Sequence, residues 1–192
     1  LMIIVAIAYI LLLYRYGFSI NALKFMFLIP MLISAFQIDL KLQIIPNRLT
    51  LTIFEFGLIF TFIGVIINVN TGINLFINSL LGMIVGAGIF LLITLIGGAI
   101  AGKEAMGFGD VKLMGAMGLF FGWFNIILIS VIAFLLAAIT SIGILVLRKK
   151  KIDEYIPFGP FIVIGAIISI YTPFSILLIA LLKIFSLGMY QL

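Results

Sequence analysis

Residues 75–100, LFINSLLGMIVGAGIFLLITLIGGAI, decide the fold, because they form 26 consecutive residues without a charged side chain. A run of about 20 apolar residues is long enough to cross a bilayer as an α-helix. The whole chain has this character, since 66% of its 192 residues are hydrophobic and only 9% are charged. Lipid-buried backbone must form helices or a closed barrel, and these runs lack the alternation of barrel strands. The sequence therefore predicts an all-α polytopic membrane protein.

Further apolar runs lie on both sides of this one. We expect spans at about residues 22–38, 49–69, 75–100, 113–123 and 125–147, after a short run at 1–14 and before an apolar tail from 161 that is broken at 171–173. The prediction is a single membrane-embedded domain over residues 1–192, with about seven or eight transmembrane helices. The pattern leaves open whether the tail forms one kinked helix, a helical hairpin, or a span and an interfacial helix. Because the first run is short for a span, we expect an upstream segment to be missing.

Small residues recur at helical spacing in two of these runs. Gly82 and Gly86, and again Gly118 and Gly122, have the G-x-x-x-G spacing that lets helices approach closely in lipid. We expect these glycines to pack helices within the bundle, with dimerisation as the second interpretation.

The composition excludes several kinds of chemistry. The chain contains no cysteine and no histidine, so Cys or His nucleophiles and the zinc sites built from those ligands are excluded. The net charge of +5 does not predict nucleic-acid binding, because the basic residues lie between apolar runs, where they orient a protein in the membrane. We expect no metal and no cofactor, and chemistry must come from carboxylates, hydroxyls and lysines.

Charged side chains cluster just after the run at 75–100, in residues 104–113, EAMGFGDVKL. An ionisable residue at membrane depth is costly and tends to face a wet cavity, so it is a functional-site candidate by default. Gly107 and Gly109 next to Asp110 allow backbone conformations that a Cβ would forbid. Asp39 similarly closes an apolar run, and Pro46 follows it and is expected to open the next helix.

The order of the spans places Asp39 and Asp110, 71 positions apart, on the same membrane face. If each run crosses once, the ends of the second, fourth and sixth spans share that face. Eight basic residues also lie there, against Arg15 and Lys24 on the other face: Lys41, Arg48, Lys103, Lys112, Arg148, Lys149, Lys150 and Lys151. The positive-inside rule makes the first face cytoplasmic.

Two aspartates held close together do not ionise independently and share a proton. One can then act as general base toward a water molecule and the other as general acid toward a scissile carbonyl, which is aspartic-protease chemistry. In the alternative interpretation, Asp39 and Asp110 are interfacial loop carboxylates paired with Lys41 and Lys112. Lys112 could instead bias which aspartate is charged, or extend toward the headgroups, which we favour.

Three motifs resemble those of the type IV prepilin peptidases, which are membrane aspartic peptidases of the GxGD type. They are EAMGFGDVKL at 104–113, the segment from Asp39 to Asn47, and IPFGPF at 156–161. The resemblance implies an endopeptidase in the inner (plasma) membrane that cleaves the basic leader from prepilins or pseudopilins of pili or secretion systems at the cytoplasmic face. The resemblance implies that Asp39 and Asp110 are the catalytic residues. Supporting motif residues are Gly107, Gly109, Lys112, Pro46, Asn47, Pro157, Gly159 and Pro160.

Bifunctional members of that family carry a cysteine-bearing loop tied to N-methylation, which these residues lack. Either this chain resembles a peptidase-only member or the loop lies upstream of Leu1 and is missing, and we assign no methyltransferase activity to these residues. The rival hypothesis from another class is a small proton- or cation-coupled transporter, in which Asp39, Glu55 and Asp110 form an ion path. For Glu55 itself, we expect a protonated carboxyl or one that faces the interior, with a supporting role near the site as a further possibility. The oligomeric state is left open by the sequence.

Overall fold

The computed structural model describes residues 2–68, 70–101, 106–146 and 157–185. These residues form seven α-helices and no strand, which confirms the all-α prediction. The helices are α1 (Met2–Tyr16), α2 (Ile20–Leu42), α3 (Asn47–Ile67), α4 (Gly72–Ala101), α5 (Phe108–Val146), α6 (Gly159–Tyr171) and α7 (Phe174–Phe185). By length and composition, α2 to α5 can each cross a membrane, and α1, α6 and α7 are shorter apolar helices. The chain is thus an integral membrane protein.

Helix α5 turns back on itself at Gly122, whose φ of 73° and ψ of 172° are not helical. A Cβ at Gly86 of α4 would contact both Met114 and Ile126. In the sequence, these two residues lie on opposite sides of Gly122. In a straight helix these two residues would be about 18 Å apart. The second half of α5 therefore runs back alongside the first, and α5 is a helical hairpin. The predicted break between a span at 113–123 and another at 125–147 is confirmed.

The two ends of the bundle can be distinguished by their hydrogen bonds. At one end, the N–H of Gly159 at the start of α6 bonds to Asp39 near the end of α2. At the other, Arg15 donates to the carbonyl of Tyr171 and the Tyr16 hydroxyl donates to the carbonyl of Ile170. We call these the aspartate end and the distal end.

The apolar tail forms two helices, separated at Thr172 and Pro173. Leu177 and Leu181 of α7 pack against Leu128 and Ile132 in the second half of α5. One continuous helix is thereby ruled out, because α6 ends at Tyr171 and α7 begins at Phe174. Lys103, Glu104 and the basic run at 148–151 lie outside the described residues.

Glycines bring α4 and α5 into backbone contact, as the G-x-x-x-G spacing predicted. A Cβ on Gly82 would meet the carbonyl oxygen of Gly118 and lie 2.8 Å from the Cα of Gly122. A Cβ on Gly86 would lie 2.6 Å from the carbonyl oxygen of Met114. Only glycine fits at these positions without displacing α5, which carries Asp110. Packing within the bundle, the first of the two interpretations, is confirmed.

Replacing Gly82 by alanine should destabilise the fold, because the added methyl group forces two backbones apart. Overpacking of this kind costs about 1–3 kcal/mol, which corresponds to a fall in Tm of about 2–12 °C for a chain of this size. Thermal unfolding in detergent can be followed through Trp123, the only tryptophan in the sequence. Gly88→Ala on the same helix is the matched control, since a Cβ there meets nothing within 4 Å. Equal Tm values for the two variants would contradict this account of the α4–α5 contact.

Candidate active site

Asp39 lies in the last turn of α2, with its side chain inside the bundle. The helix ends four residues later at Gln43, which adopts a left-handed conformation with φ of 55° and donates its N–H to the Asp39 carbonyl at 2.9 Å. Pro46 then precedes α3 as its N-cap residue, as the sequence predicted. The Asp39 side chain is only 3% exposed. A buried carboxyl needs a hydrogen-bond partner, and the fold provides one from a distant part of the chain.

That partner is the backbone N–H of Gly159, which donates to Asp39 Oδ2 at 2.9 Å. Gly159 is the first residue of α6, and the N-cap residue Phe158 supplies no side-chain cap. Asp39 therefore occupies the position of a capping group, where the helix dipole favours a negative charge. A Cβ on Gly159 would lie 2.6 Å from Asp39 Oδ2, so a larger residue would collide with the carboxyl group. Pro160 follows in the first turn of α6, where its missing N–H costs nothing.

Asp110 lies in the first turn of α5 and donates its backbone N–H to the carbonyl of Gly107 at 3.1 Å. Its side chain is 4% exposed. Gly109 allows the segment after α2 to approach, because a Cβ there would lie 3.1 Å from the Cβ of Ile45. Two of the supporting glycines thus have steric roles: Gly109 leaves room for the segment that follows α2, and Gly159 leaves room for the Asp39 carboxyl.

Asp39 and Asp110 line the same cavity, which has a volume of about 580 Å³. Their carboxyl groups are close enough to interact electrostatically. Asp110 Oδ1 is buried and has no hydrogen-bond partner among the described residues. The remaining lining residues are Leu42, Gln43, Ile44, Ile45, Asn47, Met106, Gly107, Phe108, Gly109 and Lys112. Two carboxyl groups with one unengaged oxygen at a cavity wall can hold a water molecule or a carbonyl between them.

Lys112 does not pair with either aspartate. Its side chain is exposed, and its ammonium donates to Asn47 Oδ1 at 2.9 Å and lies 5.3 Å from the centre of the Phe108 ring. The alternative in which Asp39 and Asp110 are loop carboxylates is wrong, since both are buried within helical turns. The motifs predicted supporting roles for Asn47 and for Lys112, but nothing in the sequence indicated that the two side chains bond across 65 positions.

Glu55 faces outward on α3 and is exposed, so the expectation that it faces the interior is wrong. It shares that face with exposed apolar side chains one helical turn away on each side, Leu51 and Ile59. It is also absent from the cavity that contains the two aspartates. Glu55 is therefore on the outer face of α3 and does not reach the aspartate cavity. A supporting role for Glu55 near the site has no structural basis.

Within the described ranges, no group of three potential metal ligands occurs. Among the residues that the structure describes, the two aspartates are the only acidic side chains that line the cavity.

The chain matches a known protein family and several curated proteins of that family. Residues 26–142 match the model of the type IV leader peptidase family. The chain is 32% identical to a prepilin leader peptidase/N-methyltransferase of Legionella pneumophila over 164 residues, 85% of this chain and 55% of that protein. Proteins of the same name from Aeromonas hydrophila and Pseudomonas aeruginosa are 30% and 29% identical, over 72% and 82% of this chain and 46% and 52% of their own lengths.

The chain therefore spans about half the length of the curated relatives that it matches. No solved structure matches significantly. The family match covers both Asp39 and Asp110, and it extends over more than half of the sequence. This chain belongs to the type IV leader peptidase family.

Proposed function

We propose that this chain is a membrane-embedded aspartic endopeptidase that removes the basic leader from type IV prepilins or pseudopilins. The observation that carries the proposal is the burial of Asp39 and Asp110 in one cavity at the same end of the bundle. Family membership supports the leader-peptidase activity. On this proposal, residues 1–192 act as one peptidase domain of an inner (plasma) membrane protein. The aspartate end faces the cytoplasm, as the excess of basic residues around it predicts.

The two carboxyl groups share one proton in the resting site. The ionised carboxylate takes a proton from the attacking water, and the protonated group donates to the oxygen of the scissile carbonyl. The Gly159 N–H fixes the orientation of the Asp39 carboxyl and leaves its second oxygen for the water. Asp110 Oδ1, unengaged in the protein, supplies the facing oxygen. These steps require neither cysteine nor histidine.

The transporter hypothesis is less well supported, because it requires a path that includes Glu55. That carboxyl lies on the outer face of α3 and outside the cavity. We assign no methyltransferase activity to these residues.

Replacing either catalytic candidate by its amide should abolish leader cleavage. Asp39→Asn and Asp110→Asn each remove one proton-transfer group, so the rate should fall by about 10²–10⁴-fold. The measurement is leader removal from a prepilin by purified protein in liposomes, followed by mass spectrometry. Glu55→Gln is the matched control and should cleave at the wild-type rate. Wild-type rates for the two aspartate variants would refute the dyad, and loss of cleavage in Glu55→Gln would contradict the placement of Glu55 outside the site.

Gly159→Ala should reduce cleavage although it removes no chemical group. The new methyl group would displace the Asp39 carboxyl from its bond to the α6 N-terminus. A displacement of about 1 Å can cost about 10²-fold in rate, and we expect it in kcat with little change in KM. Gly143→Ala in α5 is the control, because a Cβ there meets nothing within 4 Å. Full activity in Gly159→Ala would show that the Gly159 contact does not position Asp39.

A further inference from the structure

The distal end of the bundle contains a second cavity with a very different lining. It has a volume of about 240 Å³ and lies between the ends of α1, α2 and α6 and the turn of α5. Two cations border it, Arg15 and Lys24. Five amide or hydroxyl side chains complete its polar wall: Tyr16, whose hydroxyl already donates to the Ile170 carbonyl, Asn21, Asn125, Ser169 and Thr172.

Lys24 has no hydrogen-bond acceptor among the described residues. Its ammonium lies 5.6 Å and 5.8 Å from the ring centres of Phe25 and Phe120, and these aromatic faces are its only assigned partners there. Lys24 and Asn21 also border an adjoining cavity of about 460 Å³ between α2, α3 and α4. A partly buried ammonium with three N–H donors is stabilised by an anion that accepts from it.

The residues that the structure describes include no acidic side chain close enough to accept from Lys24. The acidic residues among them are Asp39 and Asp110 at the opposite end of the bundle and Glu55 on the outer face of α3. Arg15 uses one N–H on the carbonyl of Tyr171 at 2.6 Å, and its guanidinium has further donors to offer. The hydroxyls of Ser169 and Thr172 are not engaged with another described residue and can also donate.

We propose that this distal cavity binds a phosphate-bearing anion, with Lys24 and Arg15 as charged ligands and the hydroxyls of Ser169 and Thr172 as additional donors. Two cations without a carboxylate, together with neutral donors, match the several acceptor oxygens of a phosphate group. The cavity lies where helices α1 and α6 end, at the distal end of the bundle. A phospholipid headgroup and free phosphate share this chemistry. The site is separate from the aspartate cavity and does not depend on the proposed peptidase activity.

The test is thermal unfolding of delipidated protein in neutral detergent, titrated separately with phosphatidylglycerol and with inorganic phosphate at constant ionic strength. A ligand that binds only the folded protein stabilises it by RT ln(1 + [L]/Kd), so Tm begins to rise near the Kd and then increases with the logarithm of the ligand concentration. We expect this rise in wild type and in Lys24→Arg. In Lys24→Met the apparent Kd should weaken by about tenfold or more, as expected for a lost charge-assisted hydrogen bond. Lys183→Met, which removes an exposed cation of α7, should behave as wild type.

The two titrations identify the source of the ligand. A response to phosphatidylglycerol alone assigns a lipid headgroup, and a response to inorganic phosphate assigns a free anion. If Lys24→Met does not fold, the double variant Ser169→Ala/Thr172→Val retains the cation and should still weaken binding. The proposal is overturned if wild type shows no response beyond that to sodium chloride, or if these variants bind as tightly as wild type.

Discussion

The hydrogen bond from the Gly159 N–H to the Asp39 carboxyl joins the end of α2 to the start of α6 across 120 positions. A carboxyl group buried in a membrane protein is tolerated only if the fold supplies donors or a favourable dipole, and α6 supplies both. In return, Asp39 provides the cap that no side chain within residues 157–160 provides. The site and the placement of α6 therefore depend on the same contact. This is why the third motif, which carries no ionisable side chain in its described part, belongs to the candidate active site.

Asp110 is positioned by a different constraint, the close approach of α4 and α5. Gly82 and Gly86 let the first half of α5 lie against α4 with backbone contact. The reversal at Gly122 then returns the second half of α5 along the same helix. Asp110 begins this hairpin and is thereby held at the level of Asp39. Gly82 and Gly86 thus set the distance between α4 and α5. The position of α5 in turn sets how close the Asp110 carboxyl lies to that of Asp39.

Much of this arrangement could be predicted from the sequence. The long uncharged runs predicted the helices, and the parity of those runs placed Asp39 and Asp110 at one end, where the structure brings them into one cavity. The turn at Gly122 was visible as a short span followed by another. These features are encoded locally, in composition and in glycine spacing.

Other features depend on tertiary contacts between residues far apart in the chain. Glu55 could not be assigned to an outward face, because α3 is apolar on all sides and its sequence has no clear inner stripe. The bond between Lys112 and Asn47 and the capping of α6 by Asp39 join residues separated by 65 and 120 positions. The path of the apolar tail was left open for the same reason, since α7 packs on side chains of α5 that periodicity alone does not identify.

The central claim is that Asp39 and Asp110 form one acidic site, and thiol cross-linking in membranes tests it most directly. The sequence contains no cysteine, so an Asp39→Cys/Asp110→Cys variant has no background thiols. A short bifunctional thiol reagent should join the two positions within one chain, and an Asp39→Cys/Glu55→Cys variant should not react in this way. Cross-linking of the first pair alone is the result that the structure predicts. Failure of the first pair to cross-link, while each single cysteine is labelled, would contradict the shared site.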